Sequence, residues 1–394
     1  MPSPVFRPPL LDSLEREVLS LIDELRQDLG HRVAEPRRWV GSLRRMAFAR
    51  AVQGSNSIEG YDASLDDVAA AVDGEPTLDT NLETQFALTG YRDAMTYVLQ
   101  VAQDENAVID EGLIKALHFM MLKHDLDKSP GRWRPGFIAV RNDATGDIVY
   151  EGPDASLVPG LIEHMLAGLE DDEGPVLVRA ALAHLNLVMI HPFRDGNGRM
   201  ARCLQTLVLA REQILAPVFS SIEEYLGRNT QAYYDVLAEV GQGSWHPDRD
   251  TRPWIRFCLT AHYRQAKTHV RRFEEVERLW RECDSLSRVH GLAERTAGGL
   301  SEAALGFRLR NSTYRSVVEI TAGEQISDLT SSRDLKAMVD AGLLVAVGEK
   351  RGRYYVAGTP LVEAWRRIRA TRPPRSDLDP FLVAQQRMQL SFEA

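Results

Sequence analysis

The sequence predicts a mainly α-helical protein with one β-hairpin near the middle of the chain and a small module of helices and strands near its C-terminal end. Three observations support this fold class. Apolar residues recur at helical spacing over most of the first 260 residues. Two short apolar runs, FIAV and DIVY, are joined by a polar link ending at Gly146, which is typical of a hairpin. Past residue 290 the pattern changes to helix followed by two strands.

The helices are predicted from apolar spacing and from residues that begin or end a helix. Residues 10–30 carry leucines at helical spacing with charges between them and end at a glycine. A second helix is expected over residues 37–59, and a third begins after Ser64, whose hydroxyl can cap the first turn. Helical patterns then cover residues 80–124 and 155–260, on either side of the hairpin.

The C-terminal part follows the outline of a winged helix. The stretch ISDLTSSRDLKAMVDAGLLVAVGEKRGRYYVAG predicts helix, turn and helix, then the strands LLVAV and RYYVA around the turn GEKRG. Arg333 and Lys336 on the second helix, with Lys350, Arg351 and Arg353 around the turn, are typical of a DNA reader. Four acidic residues of the same region argue against DNA binding, namely Asp328, Asp334, Asp340 and Glu349. Winged helices also mediate protein contacts, so DNA is the less favoured partner.

The composition excludes several classes of protein. The 394 residues are 44% hydrophobic and 26% charged, which is ordinary for a globular protein of two or three domains. The net charge of −9 argues against a protein coated for nucleic acid. Three scattered cysteines are typical of reduced thiols, and no stretch reaches the about 20 apolar residues that cross a bilayer. We therefore expect a soluble, cytoplasmic protein without membrane contact.

The most informative stretch is HPFRDGNGRMAR at residues 191–202, which joins two apolar helices. Gly196 and Gly198 let the backbone approach a ligand closely and accept positive φ angles. The start of the second helix presents unsatisfied N–H groups to an anion. Arg199 and Arg202 share one face of that helix and can both bind phosphate oxygens. The sequence therefore predicts a phosphate site.

Two further residues of this stretch suit a reaction at phosphate. Asp195 offers the hard oxygen ligand that a phosphate-bound Mg²⁺ requires. His191, fixed by the following proline, titrates near neutrality and could accept a proton from an attacking hydroxyl. A GNG turn or a His-Pro pair alone is more often turn or packing chemistry. The whole set within 12 residues favours a catalytic site.

HPFRDGNGRMAR resembles the signature of Fic-domain enzymes, HPFx(D/E)GNGRxxR, at every specified position. The hairpin at residues 136–150 is similar to the target-positioning flap of that family, and EEYLGRNTQAYYDVL resembles the stretch that follows the signature in many members. The resemblance implies a Fic-type helical core with a hairpin flap and an N-terminal helical extension, to which the pattern past residue 290 adds a C-terminal winged helix. The expected parts are an N-terminal helical region bearing the inhibitory motif (1–80), a Fic catalytic core (81–285), a winged-helix module (290–370) and a loose tail (371–394).

The resemblance also implies an activity. Fic enzymes transfer AMP from ATP to a Ser, Thr or Tyr hydroxyl of a target protein. Because the flap of that family aligns the target backbone and specifies geometry rather than sequence, we also expect self-modification. His191 would be the general base, and Asp195 would hold Mg²⁺ bridging the α- and β-phosphates while pyrophosphate leaves. Such a reaction needs positioning and charge neutralisation more than covalent help, which agrees with the residues present.

The nucleotide contacts follow from the same resemblance. Arg199 and Arg202 would bind the outer phosphates, and this pair favours a triphosphate donor. A donor with another base, or a phosphocholine donor, remains the competing alternative within the same chemistry. Tyr233, with Tyr234, would lie near the nucleoside. The anion hole would consist of Gly196, Asn197 and Gly198.

Residues 55–60, SNSIEG, place Glu59 in the last turn of a helix, where the backbone carbonyls disfavour a carboxylate. The family supplies a reason, because many Fic proteins carry an inhibitory helix with the pattern (S/T)xxxE(G/N), which Ser55, Glu59 and Gly60 match. In the family this glutamate pairs with the second signature arginine, here Arg202, and ATP then binds unproductively. On their own, Ser55 and Glu59 could simply share an exposed face. Beside a complete signature, we expect Glu59 to be autoinhibitory.

Two other functions remain open. One is a nucleotide-sensing, DNA-binding regulator, although a sensor needs no general base and His191 is intact. The other is de-AMPylation as the main activity, because the inhibitory glutamate of some relatives helps water to remove AMP. A homodimer also remains open, since dimers are frequent among relatives.

Several residues outside the signature receive structural interpretations or none. We expect His184 to be a hydrogen-bonded core histidine, and we assign no function to His118. Trp133 and Arg134 are interpreted as packing at the base of the hairpin.

Overall fold

The computed structural model describes residues 4–35, 37–142, 145–171, 174–211, 217–349, 352–372 and 379–393. Within these ranges the chain is mainly helical, as predicted. The first elements are α1 (Ser13–Ala34), α2 (Val40–Ile58), α3 (Leu65–Val72), α4 (Leu82–Val101), α5 (Glu111–Leu122), β1 (Ala139–Arg141), β2 (Ile148–Glu151), α6 (Val158–Asp171), α7 (Val176–Ile190) and α8 (Asn197–Ala210). They are followed by α9 (Pro217–Ser220), α10 (Glu223–Arg228), α11 (Thr230–Gly241), β3 (Gly243–Ser244), α12 (Arg252–Val289), α13 (Thr296–Leu305), α14 (Asn311–Ala322), α15 (Asp328–Asp340), β4 (Leu344–Val347), β5 (Tyr354–Ala357), α16 (Thr359–Ala370) and α17 (Pro380–Glu393).

Helices α1 and α3 begin at side-chain caps that the sequence supplies. The Asp12 side chain accepts from the Glu15 N–H, and the Glu15 carboxylate accepts from the Asp12 N–H, which forms a capping box at the start of α1. Ser64 caps α3, as predicted. The predicted end of α1 near residue 30 was wrong, because the helix continues to Ala34 and buries Val33 in the core.

The centre of the fold is the pair α7 and α8, whose residues are almost all buried. The long helix α12 packs against α7, and α2 packs against α10. Gly54 of α2 and Gly227 of α10 allow this second contact, because a Cβ on Gly227 would lie 2.6 Å from the Cα of Gly54. The segment that joins α7 to α8 therefore lies between rigid, buried helices.

The predicted hairpin is confirmed. β1 pairs with β2 in antiparallel fashion, with Ala139 opposite Glu151 and Val140 opposite Tyr150. β3 adds a short parallel partner to β2. The hydroxyl of Tyr150 donates to the Met189 carbonyl at 2.8 Å, which fixes the hairpin to the last turn of α7.

The C-terminal module, α13 to α16 with the hairpin β4–β5, has a separate hydrophobic cluster, to which Leu279 and Cys283 of α12 also contribute. Leu309, between α13 and α14, bridges to Tyr355 of β5, and β4 pairs with β5 as expected. The predicted position of the two helices was wrong, because residues 328–340 form the single helix α15 and the first helix of the pair is α14. Arg333 and Lys336 do lie on α15, whereas Lys350 and Arg351 fall outside the described residues.

The tail is not loose over residues 380–393, where α17 packs against α1. Ala384 is fully buried, and Phe381 packs against the main core. Arg387 pairs with Glu17 and Glu24 of α1. The prediction missed α17 because its apolar residues form a buried face only when α1 packs beside it. Among the described residues, no helix is both long enough and apolar enough to cross a membrane.

Candidate active site

The loop between α7 and α8, residues 191–196 (the signature loop), is set by its two ends. α7 ends at Ile190, and the next residue, His191, has a left-handed backbone (φ 51°) and donates its N–H to the Leu187 carbonyl at 3.0 Å. Gly196 precedes α8 with φ 76°, as its glycine identity predicts. The loop therefore places its backbone at the N-terminal end of a buried helix, where N–H groups and the helix dipole favour an anion.

Asn197 and Phe193 brace this loop from inside. The Asn197 amide accepts from the Phe193 N–H and donates to the Phe193 carbonyl, both at 2.9 Å. The Phe193 ring is fully buried and stacks on His118, with ring centroids 3.6 Å apart. The side chain of Asn197 is thus occupied within the loop, and its place in the expected anion hole would rest on its backbone.

His118, to which the sequence assigned no function, holds the backbone of the loop. Its Nδ1 accepts from the Gly131 N–H at 2.8 Å, so its Nε2 carries the proton and donates to the Asp195 carbonyl at 2.9 Å. Burial lowers the pKa of His118 to about 4, which keeps this neutral form at pH 7. No spacing rule could find His118, because its partners are backbone groups distant in sequence.

His191 is arranged as a base. Its Nδ1 lies 3.0 Å from the Val188 carbonyl and therefore donates, which leaves Nε2 as the acceptor. Burial lowers the pKa of His191, so the neutral imidazole predominates at pH 7. The side chain can accept a proton at Nε2.

Both signature arginines are buried, each 1% exposed. Arg202 donates from Nε to the Ser55 hydroxyl at 2.8 Å and from Nη2 to the Glu59 carboxylate at 2.6 Å. Arg199 lies over the Tyr61 ring, with its Cζ 5.2 Å from the centroid. The structure therefore brings together every residue that the sequence predicted for the inhibitory contact, and adds Tyr61.

Some guanidinium N–H groups at this site lack an acceptor among the described residues. They are Nε and Nη1 of Arg199 and Nη1 of Arg202. A buried donor without an acceptor costs about 1–3 kcal/mol, more when it is charged. An anionic ligand with several oxygens would satisfy these donors, and a nucleotide phosphate is such a ligand.

Asp195 is an ionised carboxylate at the mouth of the loop. Its Oδ2 lies 2.7 Å from Nζ of Lys128, and its Oδ1 accepts from the Gly196 N–H at 2.6 Å. Burial raises the pKa of Asp195, but Lys128 and Arg199 outweigh this, so the pKa lies below its ordinary value. One carboxylate suits a Mg²⁺ ion that takes its other ligands from phosphates and water. The described residues contain no cluster of three or more metal-ligating side chains, so the donor set fits such a shared ion only.

The two tyrosines expected near the nucleoside differ in placement. Tyr233 is 1% exposed, and its hydroxyl lies 2.9 Å from Nε2 of His184, a core histidine as expected. Tyr234 is 45% exposed and donates to the Ile58 carbonyl at 3.0 Å, at the end of α2. Of the two, Tyr234 has the more exposed side chain.

The described residues thus form a helical core with an anion-favouring loop between two buried helices and a hairpin beside that loop. The model of the Fic/DOC family matches residues 108–209 of the chain. This range lies inside the predicted core.

Curated relatives agree with this assignment. "Protein adenylyltransferase Fic" of Nematostella vectensis is 29% identical over 264 residues, which is 63% of this chain and 55% of that protein. "Protein adenylyltransferase fic-1" of Caenorhabditis elegans is 27% identical over 265 residues, which is 63% and 46% of the two chains. The chain thus spans about half the length of the curated relatives that it matches.

Solved structures share the fold. A Fic family protein from Desulfovibrio desulfuricans G20 has a TM-score of 0.57 and 23% identity, with 90% of this chain and 99% of that chain covered. Fic-1 of C. elegans has a TM-score of 0.51 and 23% identity, with 66% and 72% covered.

Proposed function

We propose that this protein is a protein adenylyltransferase, which transfers AMP from ATP to a Ser, Thr or Tyr hydroxyl of a target protein or of itself. The carrying observation is the pair of buried arginines, Arg199 and Arg202, with unsatisfied donors beside the signature loop. His191 presents a free Nε2 at the other end of the same loop. A phosphate site and a base within one rigid loop are what nucleotidyl transfer to a hydroxyl requires.

In the proposed reaction, Nε2 of His191 accepts the proton of the target hydroxyl. The hydroxyl oxygen forms a bond to the α-phosphorus as the bond to the leaving pyrophosphate breaks. Arg199 and Arg202 orient the outer phosphates and neutralise their charge. Asp195 would hold a Mg²⁺ ion shared with the phosphates, and this ion would supply further charge neutralisation.

The proposal includes autoinhibition by Glu59. Its carboxylate pairs with Arg202 and lies 2.6 Å from the point where a Cβ on Gly198 would sit. Glu59 therefore takes up a hydrogen-bond donor of Arg202 and fills the space beside Gly198 at the start of α8. A triphosphate cannot use the same donors while Glu59 remains there, so we expect low basal activity.

The test is incorporation of label from α-³²P-ATP into protein, with γ-³²P-ATP as the control for phosphorylation. Three versions are compared, namely wild type, Glu59→Gly, and Glu59→Gly combined with His191→Ala. Strong label from the α-position only in the single variant is the expected result. Absence of label in all three, on the protein and on lysate proteins, would overturn the proposed activity.

We further propose that the C-terminal module is a winged helix. The order α13, bridging residue Leu309, α14, α15 and the hairpin β4–β5 supports this assignment. DNA is not the favoured partner, because Lys336 of α15 pairs with Asp340. A gel shift that persists at physiological salt would contradict this and favour the DNA-binding regulator.

A further inference from the structure

Arg134 lies buried between the hairpin and the signature loop and is only 4% exposed. Its Nε donates to the His191 carbonyl at 2.8 Å. Its Nη1 donates to the Gly136 carbonyl at 2.6 Å, and its Nη2 donates to the Pro153 carbonyl at 2.5 Å. Its backbone N–H also donates to the Pro192 carbonyl at 2.9 Å. Packing at the base of the hairpin, as the sequence suggested, is therefore an incomplete description.

Four backbone carbonyls accept hydrogen bonds from the Arg134 guanidinium, and the Asp154 carboxylate also interacts with its charge. The His191 carbonyl lies at the C-terminal end of α7, where the helix carries partial negative charge. Burial lowers the pKa of Arg134, but a guanidinium stays protonated in proteins. A planar fork with five donors can reach several carbonyls at fixed angles, which an ammonium cannot do.

The Gly136 and Pro153 carbonyls lie at the two ends of the hairpin, and a third carbonyl belongs to His191, whose imidazole is the proposed base. Gly136 precedes β1 and Pro153 follows β2, so one side chain fixes the entry and the exit of the hairpin. The approach is close, because a Cβ on Gly152 would lie 3.3 Å from Nη2 of Arg134 and 3.6 Å from the Cβ of His191. These contacts therefore hold the edge of the hairpin at a fixed distance from the His191 imidazole.

We propose that Arg134 is a positioning residue, which sets the distance between a target hydroxyl held along the hairpin and Nε2 of His191. This inference rests on the proposed transferase function. The left-handed backbone of His191 is strained for a residue with a side chain and persists only if its surroundings hold it. The hydrogen bond from Arg134 to the His191 carbonyl is one of the contacts that do so.

The experiment uses Arg134→Lys and Arg134→Gly in the full-length Glu59→Gly protein, with self-labelling by α-³²P-ATP and ATP affinity by calorimetry. Arg141→Lys is the matched control, since Arg141 is an exposed arginine of the same hairpin that donates to Gly146. We expect transfer to fall about 10-fold or more in Arg134→Lys while ATP affinity stays within about threefold. Added guanidinium, but not ammonium, should restore transfer in Arg134→Gly.

The outcomes separate the two claims. Equal loss of ATP affinity and transfer, or full transfer in Arg134→Lys, would overturn the positioning role. Failure of the Glu59→Gly parent to label would overturn the transferase function instead. Amide hydrogen exchange then still tests the coupling, because Arg134→Lys should speed exchange at Gly152 and His191 together, and unchanged exchange would contradict it.

A different set of contacts carries a second inference, which concerns the C-terminal module and α2. Arg45 of α2 pairs with the fully buried Glu302 of α13, and its Cζ lies 5.0 Å from the Phe307 ring centroid. Arg38, just before α2, donates to the Thr321 carbonyl at 3.1 Å. The first half of α2 is therefore held by this module, while Glu59 directly follows its last residue.

The same module also holds the segment that follows Glu59. Arg308 pairs with Asp66 and with Asp67 of α3, the latter at 2.6 Å. Arg310 pairs with Glu75 at 3.1 Å. Glu59 thus lies between two stretches of chain that are both attached to the C-terminal module.

We infer that the C-terminal module acts as a clamp, which holds α2 and α3 so that Glu59 stays on Arg202. A partner that pulls the module away would release the inhibition. This inference also rests on the proposed autoinhibition. The clamp can nevertheless be tested by measuring nucleotide binding alone, without measuring AMP transfer.

The test is Arg308→Glu, made in wild type and in the Glu59→Gly protein, with Arg315→Glu as control because Arg315 pairs with Asp328 within the module. We expect Arg308→Glu to raise self-labelling and the ATP-to-ADP affinity ratio in wild type, and to add nothing in the Glu59→Gly protein. Equal loss of self-labelling in wild type and in the Glu59→Gly protein, or an unchanged ATP-to-ADP affinity ratio, would overturn the clamp.

Discussion

The carboxylate of Glu59 lies 2.6 Å from the guanidinium of Arg202, although 143 residues separate them in the sequence. Two residues further on, Tyr61 lies against Arg199, so one short segment engages both arginines of the signature. Lys128 engages Asp195 in the same way. Each charged group expected to bind phosphate or metal therefore has an intramolecular partner, and each partner can be removed separately.

Glu59→Gln should make the protein bind ATP more tightly than ADP. In the wild type Arg202 pairs with Glu59, so the γ-phosphate of ATP adds little to the binding free energy. Charge-assisted hydrogen bonds are worth about 1.5–3 kcal/mol, so we expect a preference for ATP of about 10-fold or more in the variant. Calorimetry without a target protein measures this, with Asp62→Asn, an exposed neighbour, as control. An ATP-to-ADP ratio equal to that of wild type would contradict it.

Tyr61→Ala should raise ATP affinity by a smaller factor. A cation–π contact is worth about 0.5–1 kcal/mol, so release of Arg199 should strengthen binding about two- to fivefold. Tyr61→Phe keeps the aromatic face and should resemble wild type. If the phenylalanine variant instead behaves like the alanine variant, the hydroxyl and not the ring is the important group.

Lys128→Met should lower the Mg²⁺ concentration that half-saturates ATP binding. The ammonium lies 2.7 Å from Asp195 and competes with any cation that approaches this carboxylate. Pairs near a protein surface interact by a few kcal/mol before solvent screening, so we expect a shift of about 3- to 10-fold. Lys123→Met removes a comparable pair with Asp93 and is the control. A midpoint that rises or stays the same would argue that Lys128 does not compete.

Glu223 and Glu224 should give opposite pH dependence of stability. Burial raises the pKa of Glu223 to about 7, whereas for Glu224 the hydrogen bonds and charge of Arg272 outweigh burial and lower the pKa. The contribution of Glu223 is therefore full below its ordinary value of 4.5 and is lost as the pH rises through 7. The contribution of Glu224 is present above 4.5 and is lost as the pH falls through its lower folded value.

Urea unfolding of Glu223→Gln and Glu224→Gln at pH 8 and pH 5 measures the difference. We expect Glu223→Gln to raise the free energy of unfolding at pH 8 by about 1–3 kcal/mol and to lose most of this gain at pH 5. Glu224→Gln should destabilise the protein at both values, because it breaks a buried ion pair. Equal effects of Glu223→Gln at the two values would show that its burial does not suppress the charge.

Local chemistry made parts of the fold and site predictable. The positive φ of Gly196, the cap at Ser64 and the strands on either side of Gly146 depend on residues within a few positions of each other. The residues that carry the Fic resemblance lie together in the same way. The helix α17 was missed because its burial depends on α1, at the other end of the chain.

The sequence by itself determined the loop, the hairpin and the candidates His191, Asp195 and Glu59, because each is written in a short pattern of residue types. Only the tertiary structure decided that His118 and Arg134 hold the loop. Their hydrogen bonds go to backbone carbonyls, and every residue has a carbonyl, so no pattern of side chains records the pairing. The physical reason is that the fold, and not residue type, brings these groups within hydrogen-bond distance.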